Sequence, residues 1–188
     1  IATEESYQSF TQKNIFKHLR MSSSGWSFET FDSSNVSNLY YGHKQVPFYK
    51  LQSYPDGGLF TSLNDLSLLL NELIKGHSGT GDLLKTKSYY ELFGSKKNSD
   101  SIDSIKKENP AFSVKYDSCI FMGKTQTGYF GHTGSDLGLV SLMFFNADDK
   151  LGQIVTVNTH IDGNNEKILK ELWLIWDKLE EYKTKLNY

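Results

Sequence analysis

The sequence predicts an α+β fold, an antiparallel sheet flanked by helices. Three observations carry this reading. Leu63, Leu66, Leu69, Leu70, Leu73 and Ile74 form an apolar stripe at helical spacing. Strand-like runs follow over 113–122, 129–133, 138–145 and 152–159, the last two joined by Asn146-Ala147-Asp148-Asp149-Lys150 as a hairpin loop. In the closing segment, 164–183, Ile168, Leu172, Ile175, Trp176 and Leu179 recur at helical spacing and are expected to pack on one sheet face. The chain therefore divides into 1–112, mostly helix and loop, and 113–188, strands and a terminal helix. No internal repeat interrupts this order.

Each element has a local reason. Over 6–19 the apolar positions Tyr7, Phe10, Ile15, Phe16 and Leu19 fit one face of a helix, which Ser22-Ser23-Ser24-Gly25 should end. From 26 to 54, Ser, Asn, Gly and aromatic residues follow no period, so a long irregular connection with one short strand over 45–49 is expected. Pro55-Asp56-Gly57-Gly58 demands a tight turn. Ser62-Leu63-Asn64-Asp65 is a capping-box variant with Asp at its fourth position, so a helix should start there. Gly76 stands where a left-handed C-terminal cap is wanted. Leu83-Leu84 and 88–93 read as a short helix packed nearby, and the polar, charge-mixed stretch 94–109 reads as an exposed loop. The strand runs should form an antiparallel meander.

Composition narrows the function classes. A chain of 188 residues with 38% hydrophobic and 14% aromatic content can bury the core of one domain, or of a large piece of one. A formal charge of -2 argues against nucleic acid as a partner, because no basic stripe is available to replace counterions along phosphates. The single cysteine, Cys119, excludes an internal disulfide and reads as a small core residue. No apolar run reaches the roughly 18 residues that a membrane span needs. Ile1-Ala2-Thr3-Glu4-Glu5 is no signal peptide, and without an initiator Met the chain reads as a processed product or an excised fragment. His18, His43, His77 and His160 show no zinc-ligand spacing, and no phosphate loop is present. Neither metal nor cofactor is expected.

The segment expected to touch a substrate is Gly131-His132-Thr133-Gly134-Ser135-Asp136-Leu137-Gly138 with the apolar run after it. Its small residues let another backbone approach closely. This block resembles the K-T-G or H-T-G motif of the serine β-lactamase and penicillin-binding protein family, which edges a cleft opposite a Ser-x-x-Lys nucleophile. Phe16-Lys17-His18-Leu19-Arg20-Met21 resembles that family's Phe-x-Pro-Leu-Gly-Met, with His18 for Pro and Arg20 for Gly. Tyr54-Pro55-Asp56-Gly57-Gly58-Leu59, Thr61-Ser62 and Asp65-Leu66 resemble its Pro-Ala-Gly-Gly-Leu, Ser-Thr, Asp-Leu block. Val155-Thr156-Val157-Asn158 and a terminal helix complete the order, which covers about 6–181. The resemblance is to the class C, D-alanyl-D-alanine peptidase and esterase branch.

What the resemblance implies is the C-terminal half of a serine hydrolase whose Ser-x-x-Lys helix and first sheet strands lie upstream. No catalytic nucleophile or base is assigned within this chain. Ser104-Ile105-Lys106-Lys107 matches Ser-x-x-Lys by chance in a polar loop, and Ser33-Ser34-Asn35 imitates the second motif in a Ser/Asn-rich connection. Lys124-Thr125-Gln126-Thr127-Gly128 imitates K-T-G and reads better as a turn between strands. His132 is expected to offer a donor at the cleft edge; its alternative is a half-buried strand histidine held by a neighbour. Thr133 and Gly134 would line the substrate, and the Ser135 N–H would supply one of two oxyanion donors. Their alternative is ordinary strand polarity, and Asp136 reads as a turn former. Tyr54, Asp56, Gly57 and Gly58 would shape a turn beside the cleft.

Histidine is only partly cationic at neutral pH where a lysine is fully so. Dependence on an acidic substrate group should be weaker, which suits peptidase or esterase work. The expected partners are a small-molecule or peptide substrate and the missing N-terminal half, paired along the strand near 154–158; alone, the chain should dimerise or aggregate through that edge. Extracytoplasmic location is what the family implies. The rival reading, from another class, is a non-catalytic binding or scaffold module that keeps the cleft without a nucleophile.

Overall fold

The computed structural model describes residues 4–94, 122–125, 127–161 and 166–186. Cys119, Ser104-Ile105-Lys106-Lys107, Gln126, most of the loop expected over 94–109 and the strand expected over 113–122, apart from Met122, lie outside the described residues.

The first helix is broken in character. An α-helical turn α1 (Tyr7–Thr11), capped by the Ser6 side chain on Ser9 N–H, passes into a π-helical turn over Gln12–Phe16 and a last turn α2 (Lys17–Leu19). It ends at Arg20 in the left-handed conformation, φ 62°, two residues before the serine run expected to stop it. Of the apolar face, Phe16 is buried while Tyr7 and Phe10 remain exposed. The aperiodic stretch holds a small hairpin, β1 (Leu39–Tyr41) and β2 (Lys44–Val46), in place of the single strand expected further on. Pro55-Asp56-Gly57 does turn the chain, within a one-turn helix α3 (Tyr54–Gly57).

Helix α4 (Leu63–His77) starts where the capping residues placed it, with the Ser62 hydroxyl accepting Asp65 N–H at 3.1 Å. The reciprocal half of the capping box is absent. Asp65 is buried and its carboxylate accepts Ser23 N–H and the Ser24 hydroxyl, both at 2.7 Å, so it latches the segment after α2 onto α4. Gly76 is no cap: it lies inside α4, and a Cβ there would sit 2.1 Å from the Tyr89 ring. The left-handed residue is Gly79, φ 79°. Helix α5 (Thr86–Phe93) brings Tyr89 against that glycine.

Three of the four expected strands are present in an antiparallel meander, preceded by a two-residue strand that the sequence reading did not anticipate. Strands β3 (Gly123–Lys124), β4 (Tyr129–Asp136), β5 (Leu139–Asn146) and β6 (Gly152–Val157) pair antiparallel in that order. The turn expected at 124–128 starts one residue later, since Lys124 belongs to β3; Gly128 N–H donates to Thr125 O at 3.1 Å between the two strands. Alternation sends the two faces of the sheet to different helices. Leu70 and Leu73 of α4 pack with Met122, Phe130 and Phe145; Val140, Leu142, Phe144 and Val155 pack with Leu172 and Trp176 of α6 (Glu166–Leu186). Ile175, expected in that stripe, is exposed, as is Leu63 in α4. The architecture is thus three layers, α4 and α5, then the sheet, then α6, and among the described residues β6 pairs with β5 alone.

Candidate active site

Strand β4 carries the predicted substrate-facing block, and its backbone sets what each residue can offer. Thr125 N–H donates to Tyr129 O at 2.8 Å on the β3 side. Because backbone groups alternate along a strand, those of Gly131, Thr133 and Ser135 point to that same side, while His132, Gly134 and Asp136 bond toward β5. The β3 pairing, Gly123 with Gly131 and Lys124 with Phe130, ends at Gly131 among the described residues. Ser135 N–H therefore points away from β5, to the β3 side of the strand.

Side chains follow the opposite logic of faces. His132 pairs in register with Met143 and lies on the α4 face, exposed; Thr133 and Ser135 pair with Leu142 and Val140 and lie on the α6 face. Gly131 must lack a side chain, since a Cβ would sit 2.1 Å from Met143 O and 2.4 Å from the Phe144 ring. Gly134 is closed in by the Ser141 hydroxyl, 2.6 Å from the same imagined atom. Beyond Asp136 the chain reverses through Leu137 and Gly138, φ 84°, with Leu137 N–H on Asp136 Oδ1 at 2.7 Å. Asp136 is thus the turn former expected of it.

The tip of this β4–β5 hairpin closes a cavity of about 300 Å³. Asp136 and Leu139 form one wall, and Trp26, Leu39, Phe48, Tyr49, Tyr54, Gly57, Gly58 and Phe60 form the others. Tyr54, Gly57 and Gly58 were expected beside the cleft, and they share a cavity with the end of β4. Asp56 is exposed and takes no part in the lining. His132 to Ser135 lie further back along the strand and are not among the lining residues.

The aromatic walls escaped sequence reading because they come from the aperiodic stretch, where only an unusual density of aromatic residues signalled them. They are held in place. Trp26 Nε1 donates to Thr11 Oγ1 at 2.7 Å, and its ring meets Tyr7 at 5.2 Å and Tyr54 at 5.7 Å, centroid to centroid. Phe48 stacks on Phe28 at 4.5 Å. The Tyr49 hydroxyl donates to Leu137 O at 3.0 Å, and burial, then the Asp136 carboxylate, push its ionisation up to about 12. His160, read as structural or exposed, stacks on Tyr41 at 4.9 Å and sits 3.4 Å from Asp136 O through Nδ1. No group of His, Cys, Asp and Glu that could hold a metal occurs among the described residues. No helix among them is long and apolar enough to cross a membrane.

A meander whose β4–β5 tip helps to line a cavity, with helices on both faces, is that of a β-lactamase/transpeptidase-like α+β protein. Residues 1–175 match the Beta-lactamase family model, and the chain belongs to that family. Among solved structures, a D-stereospecific amidohydrolase from Streptomyces sp. is similar in fold, with a TM-score of 0.56 and 16% sequence identity. The match covers 89% of this chain and 48% of that one, so the chain spans about half the length of the structure it resembles. Comparison with curated proteins finds none that matches.

Proposed function

We propose that this chain is the C-terminal portion of a β-lactamase-related serine hydrolase that forms an acyl-enzyme on amide or ester substrates, in the range of D-alanyl peptides, β-lactams and esters. An upstream Ser attacks the carbonyl, an upstream Lys and Tyr move the protons, and β4 aligns the substrate. Ser135 N–H stabilises the oxyanion, and His132, exposed on the face toward α4, offers a side-chain donor. The observation that carries this reading is the alternation of β4, which turns Ser135 N–H away from β5 one residue before Asp136 of the lined cavity. Family membership and the amidohydrolase's fold support it.

The second reading is a non-catalytic binding or scaffold module, favoured by a cavity whose walls need no nucleophile to be complete. One experiment separates the two: the intact mass of the native source protein before and after a serine-reactive fluorophosphonate. The hydrolase reading expects a mass well above 21.4 kDa and a single adduct. A mass near 21.4 kDa with no adduct would sink it and leave the binding module.

A further inference from the structure

The cavity at the hairpin tip has the size and lining of a small-molecule pocket: aromatic walls, few polar groups, and a volume near the lower end of the usual range. Its walls are already fixed. Trp26 is pinned through Thr11, Phe48 is stacked on Phe28, and Tyr49 is tied to Leu137, so a ligand would not have to order them on entering. Its two charged lining residues are not equivalent: Lys50 is already engaged by Glu29 at 2.7 Å, whereas Asp136 makes no ion pair among the described residues.

We infer that this cavity receives a single aromatic group that is uncharged or cationic, and that it rejects one bearing a carboxylate. Aromatic faces of Trp26, Phe48 and Tyr54 supply the apolar and cation–π contact, and Asp136 repels an anion. On the hydrolase reading, to which this second step is tied, that group hangs beside the reacting carbonyl. Asp136 directly follows Ser135, whose N–H would hold the carbonyl oxygen, and one residue of strand spans only about 3.4 Å. The preference follows from the walls themselves, and it belongs equally to a binding module.

The test is a titration of the protein with benzamide, benzylammonium and phenylacetate, with acetamide as the ring-free control, followed through the Trp26 indole N–H resonance. Benzamide and benzylammonium should shift that resonance saturably, phenylacetate should bind at least roughly tenfold more weakly, and acetamide should leave it unmoved. Leu139→Trp, which fills the cavity without removing a wall, should abolish the shifts. Asp136→Asn should bring phenylacetate to within about threefold of benzamide. Equal binding of phenylacetate, shifts that survive Leu139→Trp, or an indole that none of the ring compounds moves would each overturn the inference. Fluorophosphonate labelling is scored separately: binding without labelling keeps the pocket and removes the hydrolase, and labelling without binding does the reverse.

Discussion

The Tyr49 hydroxyl donates to Leu137 O across 88 residues of chain, and this bond ties the aperiodic segment to the tip of the hairpin that carries the candidate site. Tyr49→Phe should leave the ring in the cavity wall but free the tip. A loss of about 1 kcal/mol is expected in denaturant unfolding, with faster amide exchange at Leu137 and Gly138.

Alkaline pH should act through the same residue and its counterpart in the helices. Tyr49 and Tyr89 are both pushed up to about 12, mainly by burial, then by Asp136 and Glu72 respectively. A tyrosine raised in the folded state contributes stability that is complete below its unfolded value of about 10 and is lost as pH rises toward the folded value. The unfolding midpoint should therefore fall between pH 10 and 12, and the fall should be shallower in Tyr49→Phe/Tyr89→Phe. An unchanged slope in that double variant would count against the assignment.

At the acid end, His77 lies among Phe93, Phe130 and Phe145, with ring centroids 5.2, 4.8 and 5.7 Å away. Burial, then the charge of Lys124, lowers its affinity for a proton. Its folded value lies below the unfolded one of about 6.5, so its stabilising contribution is complete above that pH and is lost as pH falls through the depressed value. The drop in thermal midpoint between pH 8 and pH 5.5 should shrink in His77→Gln, and nuclear magnetic resonance titration of the wild-type ring should show a low midpoint.

Arg20 occupies a left-handed position, φ 62°, where the related motif carries glycine. A side chain there costs roughly 1–2 kcal/mol that glycine avoids, offset in part by glycine's larger unfolded-state entropy. Arg20→Gly should raise stability by about 1 kcal/mol, whereas Arg20→Ala should change it little, both read from guanidinium midpoints.

Lys183 is buried between Asp149 at 2.9 Å, Glu180 at 3.0 Å and the Tyr129 hydroxyl at 2.6 Å, and so fastens α6 to the sheet and to the β5–β6 turn. Burial works against its charge, but Tyr129, Asp149 and Glu180 together hold it protonated more firmly than an ordinary lysine. Lys183→Met leaves two carboxylates without their cation and should cost about 3 kcal/mol. Lys183→Arg should recover part of that loss; full stability in Lys183→Met would show that the cluster is not holding the helix.

Residue spacing by itself determined the α+β class, the antiparallel meander, the start of α4 at Ser62, the terminal helix and the block on β4. These depend on hydrogen bonds and periodicities that close within a few residues, so they are written locally in the chain. Tertiary structure alone decided the rest. Asp65 leaves its own helix cap for Ser23 and Ser24, because a buried carboxylate takes whichever N–H and O–H groups packing brings to it. Gly76 is small because the Tyr89 ring lies on it, and Ile175 is exposed because α6 presents a narrower face to the sheet than its apolar pattern spans. The cavity needs Trp26, Phe48 and Tyr49 from one segment and Asp136 and Leu139 from another. No period links those residues, and only packing across the long separation between them makes them neighbours.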